Sequence, residues 1–214
     1  MRLTRTLTMP SRRSDPVATS DLRKRILDAS EQLLETEGLA ALSMREVARR
    51  SGVTHQAPYH HFTDRETILA ELVTQGFDEL ARRLARANQR SVNAERHEVL
   101  IESGQAYVGF AIDRPGIFRI MFRPEVCDPS RFPAAQEAGD RAHAELERMV
   151  RLQHGETDSQ GLANIYWAQV HGLACLIVDG PVGQRCPGVR ERRQFMRESL
   201  AHFARYMLGE PLPA

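Results

Sequence analysis

The chain crowds three histidines, a tyrosine, a glutamine and a proline into the eleven residues GVTHQAPYHHF, from Gly52 to Phe62. Side chains of these types ligate metals, move protons or hydrogen-bond a polar surface, and spacing chooses among the three. On a helix turning about 100° per residue, His55, Gln56, Tyr59 and His60 share one arc of roughly 140°, with Ala57, Pro58 and Phe62 opposite. Two histidines on a helix share a metal when they sit four apart. His55 and His60 are five apart, and His60 and His61 are diverging neighbours. This stretch is therefore not expected to bind a metal. It reads as one polar, hydrogen-bonding face on a very short helix.

A second constellation lies far along the chain. Trp167, His171 and Cys175 recur at four-residue intervals, with Asp179 one turn further. A histidine and a cysteine four apart could share zinc or copper. They could equally line a pocket or pack in a core, since Trp and Cys are usually buried. Pocket lining is preferred to metal binding, and no metal or cofactor is assigned. The candidate ligand-binding residues are Tyr107, Phe110, Met121, Phe122, Trp167 and His171, with Tyr107 and His171 as the polar groups that orient a mostly apolar small molecule. Ile117 adds to the opposing apolar surface. Arg114 and Arg119 flank that region, but the inner faces carry few basic residues, which argues against a strongly anionic ligand. No Gly-rich phosphate loop, nucleophile elbow or HExxH occurs, so no enzyme is expected.

The elements that must position these groups read as all-helical (all-α), with no sustained two-residue alternation. A first helix is expected from near Ser20 to Glu37, with Gly38 suited to the position after its end. SMRE makes a capping box with Ser43 as N-cap and Glu46 as partner, opening a helix that buries Val47 and Ala48 and closes at Gly52. Thr54 then caps the short polar helix, where Pro58 costs one backbone hydrogen bond. TDRE, with Thr63 and Glu66, opens a longer amphipathic helix towards Ala87. Beyond it, helices are expected over Val99–Ile112, Ile117–Phe122, Gln136–Leu152, Leu162–Val178 and Glu191–Leu208, with DGPVGQRCPG as a loop. The stretch from Leu162 to Val178 is apolar nearly all round and should be buried on more than one side.

Composition bounds the class. Of 214 residues, 42% are apolar and 27% charged, which is ordinary for a soluble globular protein. No apolar run is expected to reach the eighteen or so residues of a membrane span. The N-terminus lacks the apolar core of a secretory signal and reads as a disordered basic tail carrying Arg2, Arg5, Arg12 and Arg13. Three cysteines, Cys127, Cys175 and Cys186, lack CxxC spacing and fit a reduced cytoplasm. Cys127 and Cys186 fall in expected loops without an evident cationic neighbour on their own helix, so an inert role is preferred to oxidant sensing. The net charge of +1 divides unevenly: residues 1–60 hold ten Lys+Arg against seven Asp+Glu, the rest nineteen against twenty-one. That asymmetry favours an anionic partner for the N-terminal part.

Two short helices separated by SGVT make a helix-turn-helix, whose second helix offers its exposed face to the major groove of DNA. Gln56 suits adenine, while Tyr59 and the histidines reach phosphates or base edges. The fifty or so residues around it, LRKRILDASEQLLETEGLAALSMREVARRSGVTHQAPYHHFTDRETILAEL, closely resemble the N-terminal domain of the TetR family of bacterial transcriptional regulators. The resemblance implies a three-helix DNA-binding domain joined by a long fourth helix to a helical regulatory domain. It also implies a homodimer acting on a double-stranded operator. By position, Arg45, Thr54, His55, Gln56, Tyr59, His60 and His61 match DNA-contact positions, and Arg65 matches a phosphate-contacting one. The helical wheel turns His61 inward, against that match, and Pro58 departs from the family's usual leucine. DRPGIFRIMF and WAQVHG resemble the WHG type of C-terminal domain in Trp167, His171 and Gly172.

The expected organisation is a tail at 1–18, a DNA-binding domain at 19–82, a ligand-binding and dimerisation domain at 83–209 and a short tail at 210–214. Ile177, Phe195, Phe203 and Met207, on the last two long helices, are the candidate dimer contacts. The expected protein is a cytoplasmic repressor released by a small molecule. The alternatives are a ligand-independent regulator, an activator, or a metal or small-molecule binder using His171 and Cys175.

Overall fold

The computed structural model describes residues 16–91, 94–155 and 159–209. The C-terminal tail at 210–214 lies outside the described residues, as do the four arginines of the basic tail. The helices are α1 (Pro16–Thr36), α2 (Met44–Arg50), α3 (Arg65–Arg90), α4 (Arg96–Asp113), α5 (Pro115–Met121), α6 (Pro133–His154), α7 (Ser159–Val178), α8 (Pro181–Arg185) and α9 (Val189–Leu208), with 3-10 turns at Leu39–Ala41 and Ala57–His60. No strand occurs among the described residues.

Local chemistry sets most helix ends. Gly38 leaves α1 at φ +80°, where its N–H and that of Glu37 both reach the Leu33 carbonyl, at 3.0 and 2.9 Å. That left-handed exit is why a glycine stands there. Ser43 caps α2 by accepting the Glu46 N–H at 3.2 Å. The Glu46 carboxylate itself is held by Arg49 at 2.8 Å and Arg50 at 3.1 Å. At α3 the cap is Asp64, accepting the Thr67 N–H at 2.8 Å, and not Thr63. A carboxylate at a helix N-terminus meets both the free N–H and the positive end of the dipole, and this holds the Asp64 carboxyl below its usual range.

Several boundaries differ from the sequence reading for one shared reason. Pro115, Pro133 and Pro181 each open a helix, so α5 and α6 begin earlier than expected and a helical turn, α8, interrupts the expected loop. A proline at the first helical position loses no hydrogen bond and arrives with its φ already set.

α5 is wedged between two other helices, and two glycines let it in. A Cβ on Gly116 would lie 2.8 Å from the backbone of Leu34 and Glu35 in α1. A Cβ on Gly76 of α3 would lie 2.6 Å from Ile117 in α5. The main core fills the space between α1, α3, α4, α5, α6 and α7. A smaller cluster around Val99, Val150, Tyr166 and Ala204 joins α4, α6, α7 and α9.

α7 corrects two expectations. From Gln160 to Val178 it is long and apolar enough to cross a membrane, yet only a third of that stretch is buried in this chain. Its inner side is core, and its outer side, with Ile165 and Leu176 about half exposed, lies open. Ile177, expected at a dimer contact, is fully buried within the subunit. Phe195, Phe203 and Met207 are half-buried against the chain's own cores.

Candidate nucleic-acid interface and ligand cavity

The α2–turn unit hangs on a few specific bonds. Gly52 takes φ +67° after α2, and Val53 returns its N–H to the Ala48 carbonyl at 3.1 Å. Arg25 of α1 donates to the Ser51 carbonyl, fixing the turn from behind. The sequence reading missed Arg25, since nothing local distinguishes it from its neighbours Arg23 and Lys24. The polar stretch then forms a 3-10 turn over Ala57–His60 where an α-helix was expected. Pro58 explains this: it has no N–H to reach back four residues. Ala57, Tyr59 and His61 instead bond the carbonyls of Thr54, Gln56 and Pro58 at 3.0, 3.2 and 3.0 Å.

Pro58 and Phe62 are buried, and Thr54, His55, Gln56, Tyr59 and His60 stand exposed beside Arg45. The His55 and Tyr59 rings lie 5.8 Å apart, tilted. His61 is half-buried; burial, with His60 and Arg23 nearby, holds its pKa below the usual histidine range. Arg65 is turned inward, its Nη2 donating to the Leu39 carbonyl at 2.7 Å. The geometry thus gives Arg65 a bracing role that the sequence reading did not foresee. Arg49 and Arg50 are tied to Glu46 and Glu37, and Glu46 is pulled down to about 2 by those two arginines.

A cavity of about 340 Å³ opens between α3, α4, α5, α6 and α7. Tyr107, Met121, Phe122 and Trp167 line it, as expected from sequence, but Phe110 and His171 do not. Phe110 is fully buried under Arg83, whose guanidinium sits 5.5 Å from its ring. His171 stands behind Tyr107. Trp167 Nε1, which has only a proton to give, donates to the Tyr107 hydroxyl at 2.9 Å. Tyr107 in turn has its own proton for His171 Nδ1, 3.0 Å away. That leaves the imidazole proton on Nε2, 3.6 Å from Cys175 Sγ. Burial pushes the Tyr107 pKa up and the His171 pKa down, so both are neutral in this relay. Among the described residues no group of three His, Cys, Asp or Glu is placed to hold a metal. Cys127, expected on an open loop, is buried against the cavity, and burial raises its pKa.

Two family descriptions match the chain. Residues 26–72 match "Bacterial regulatory proteins, tetR family", and residues 100–203 match "Tetracyclin repressor-like, C-terminal domain". The chain belongs to the TetR family. The regulator YobS of Bacillus subtilis (strain 168), described as an uncharacterized HTH-type transcriptional regulator, is 28% identical over 97 residues, 45% of this chain and 49% of YobS. The chain spans about half the length of the curated relatives it matches. Among solved structures, a protein of unknown function from Rhodococcus sp. RHA1 is 26% identical with a TM-score of 0.65, covering 91% of this chain and 97% of that one. The TetR family regulator PfmR from Thermus thermophilus shares the fold at 20% identity, with a TM-score of 0.66 over 88% of this chain and 100% of PfmR. This TetR chain therefore combines the family's N-terminal helix-turn-helix domain with a helical C-terminal domain.

Proposed function

We propose that this chain is a ligand-responsive repressor, acting in the cytoplasm as a homodimer on a roughly palindromic operator. Each subunit presses the turn carrying Gln56, Tyr59 and His60 into a major groove. A small molecule in the cavity favours a second conformation with the wrong spacing between the two turns, so DNA and effector weaken each other's binding by the same factor. The observation that supports this most is α5. Its N-terminal end is seated on α1 of the DNA-binding domain through Gly116, and its far end delivers Met121 and Phe122 to the cavity wall. A side chain displaced by a ligand therefore acts on a helix that already touches the DNA-binding domain. We also read the C-terminal domain as the WHG type: Trp167 and His171 bracket the Tyr107 relay, and Gly172 lies on the open face of α7.

The test is a mobility shift on the DNA upstream of the protein's own gene. Tyr59→Phe should weaken binding to every sequence, and Gln56→Ala should relax preference at one or two base positions, each by about 1–3 kcal/mol. If both variants bind as the parent does, the turn is not the DNA-contacting element.

A further inference from the structure

We propose that the cavity selects an amphipathic monocation: an aryl or alkyl body carrying an amine or quaternary ammonium group. This deepens the effector reading above and rests on the cavity being the effector site. The inner end of the cavity asks nothing polar of a ligand. The Trp167 indole N–H is given to Tyr107, and the Tyr107 hydroxyl faces His171 Nδ1, so the two polar groups of the inner wall already have partners. What remains there is aromatic and aliphatic surface, with Phe77 and Phe122 edge-to-face at 5.3 Å and Trp167 6.1 Å beyond. Ring faces of this kind attract cations and accept flat apolar bodies.

The other polar groups of the wall are Asn164 of α7 and, on α6, Gln136, Asp140 and His143, which succeed one another along one face. The one base among them, His143, faces Glu147 at 3.5 Å. Asp140 is the single carboxylate of the lining, and no arginine or lysine lines it. Its hydrogen-bond partner is neutral, the Gln136 amide at 2.8 Å, and it forms no salt bridge among the described residues. The arginines nearest in sequence are held elsewhere, Arg131 by Glu66, Arg141 by Asp78 at 2.7 Å and Arg148 by Glu145 at 3.4 Å. An anionic head group would meet the Asp140 carboxylate with neither an arginine nor a lysine in the lining to offset it. A cationic head would meet Asp140 on one side and the Trp167 and Phe122 rings on the other, while its body fills the apolar end.

The probes are 4-phenylbutyl-trimethylammonium, its neutral tert-butyl isostere and a phenylalkanoate of the same length. Binding to the full chain is read from the fluorescence of Trp167, the single tryptophan, which needs no DNA. The cation should bind about tenfold more tightly than the neutral isostere, the order of one partly exposed ion pair plus a cation–π contact. Asp140→Asn should erase that preference and leave the isostere's affinity unchanged. Asp140 is exposed, so the variant is expected to fold, and unchanged helical circular dichroism checks this. Equal binding of cation and isostere, preference for the carboxylate, binding of none of the three, or a preference that survives Asp140→Asn would overturn the proposal. Operator binding is measured separately. Failure to bind DNA would count against the repressor reading while the cation preference stood.

Discussion

At the scale of single residues, the exposed turn is unusual in the cations it offers to a phosphate backbone. Arg49, Arg50 and Arg65 are engaged with Glu46, Glu37 and the Leu39 carbonyl, and Arg25 with the Ser51 carbonyl. Arg45, His55 and His60 remain exposed, with His61 half-buried at the edge. His61 has its pKa held below the usual histidine range, because burial and its neighbours His60 and Arg23 oppose its proton. A nearby phosphate stabilises the protonated ring, so DNA binding takes up a proton there and affinity rises as pH falls. At fixed salt, operator affinity is expected to increase towards acid pH, with a steeper salt dependence at the lower pH. His61→Asn should flatten the profile; a profile already flat in the parent would show that His61 stays neutral on DNA. The choice of exposed side chains was legible in sequence, but for a different reason than a helical wheel. Buried Pro58 and Phe62 anchor the turn and leave the residues between and before them outside, whatever the turn's pitch.

At the scale of elements, what sequence revealed was periodicity and caps, and what it hid was contact between distant segments. Glycines and prolines show the difference. Gly38 and Gly52 were readable because each ends a local pattern. Gly76 and Gly116 were not, because their reason is the approach of α5 to helices some forty or eighty residues away in sequence. Glu35 belongs to the same joint. Its carboxylate accepts the Gly116 N–H at 2.8 Å, so α1 caps α5 from outside. Burial, with Glu31 nearby, raises its pKa above 4.5 despite that bond. A raised pKa means that the folded chain holds the proton more tightly than the unfolded one. The resulting stabilisation is complete below 4.5 and is lost as pH rises through the folded value. At neutral pH the ionised carboxylate is a cost. Glu35→Gln keeps an acceptor for Gly116 and removes the charge. It should raise the melting temperature by about 1–2 °C at pH 7.5, a small gain because the group is only half-buried, and by less as the pH approaches the acid range. Glu35→Ala should lower it, because the α5 N–H loses its acceptor at a cost in stability of about 1 kcal/mol. Equal melting of Glu35→Gln and parent at both pH values would mean that the joint carries no desolvation cost.

At the scale of the whole molecule, α7 has two faces and only one is used inside the chain. Its inner face supplies Trp167 to the cavity and Ile177 to the core. Its outer face presents Ile165, Ala168, Gly172 and Leu176 at intervals of three and four, a strip that runs along a helix without a charged residue from Gln160 to Val178. The small residues matter, since a Cβ on Gly172 would meet nothing within 4 Å, leaving room for a second helix to approach closely. Asn164 and Gln169 are exposed near the same strip, which suits a protein partner better than lipid, because an unpaired amide in hydrocarbon is costly. In a two-fold dimer α7 would meet its own copy, so each substitution there acts twice. Leu176→Arg is therefore expected to give a folded monomer by analytical ultracentrifugation and to weaken operator binding by about a hundredfold or more, because one subunit reads one half-site. Ile177→Arg, one residue away but fully buried, should unfold the C-terminal domain instead. Unchanged helical circular dichroism in Leu176→Arg and its loss in Ile177→Arg separate the two faces of the helix. A Leu176→Arg protein that remained dimeric and still held the full operator tightly would move the interface off α7, with the exposed side of α9 around Tyr206 as the next surface to charge.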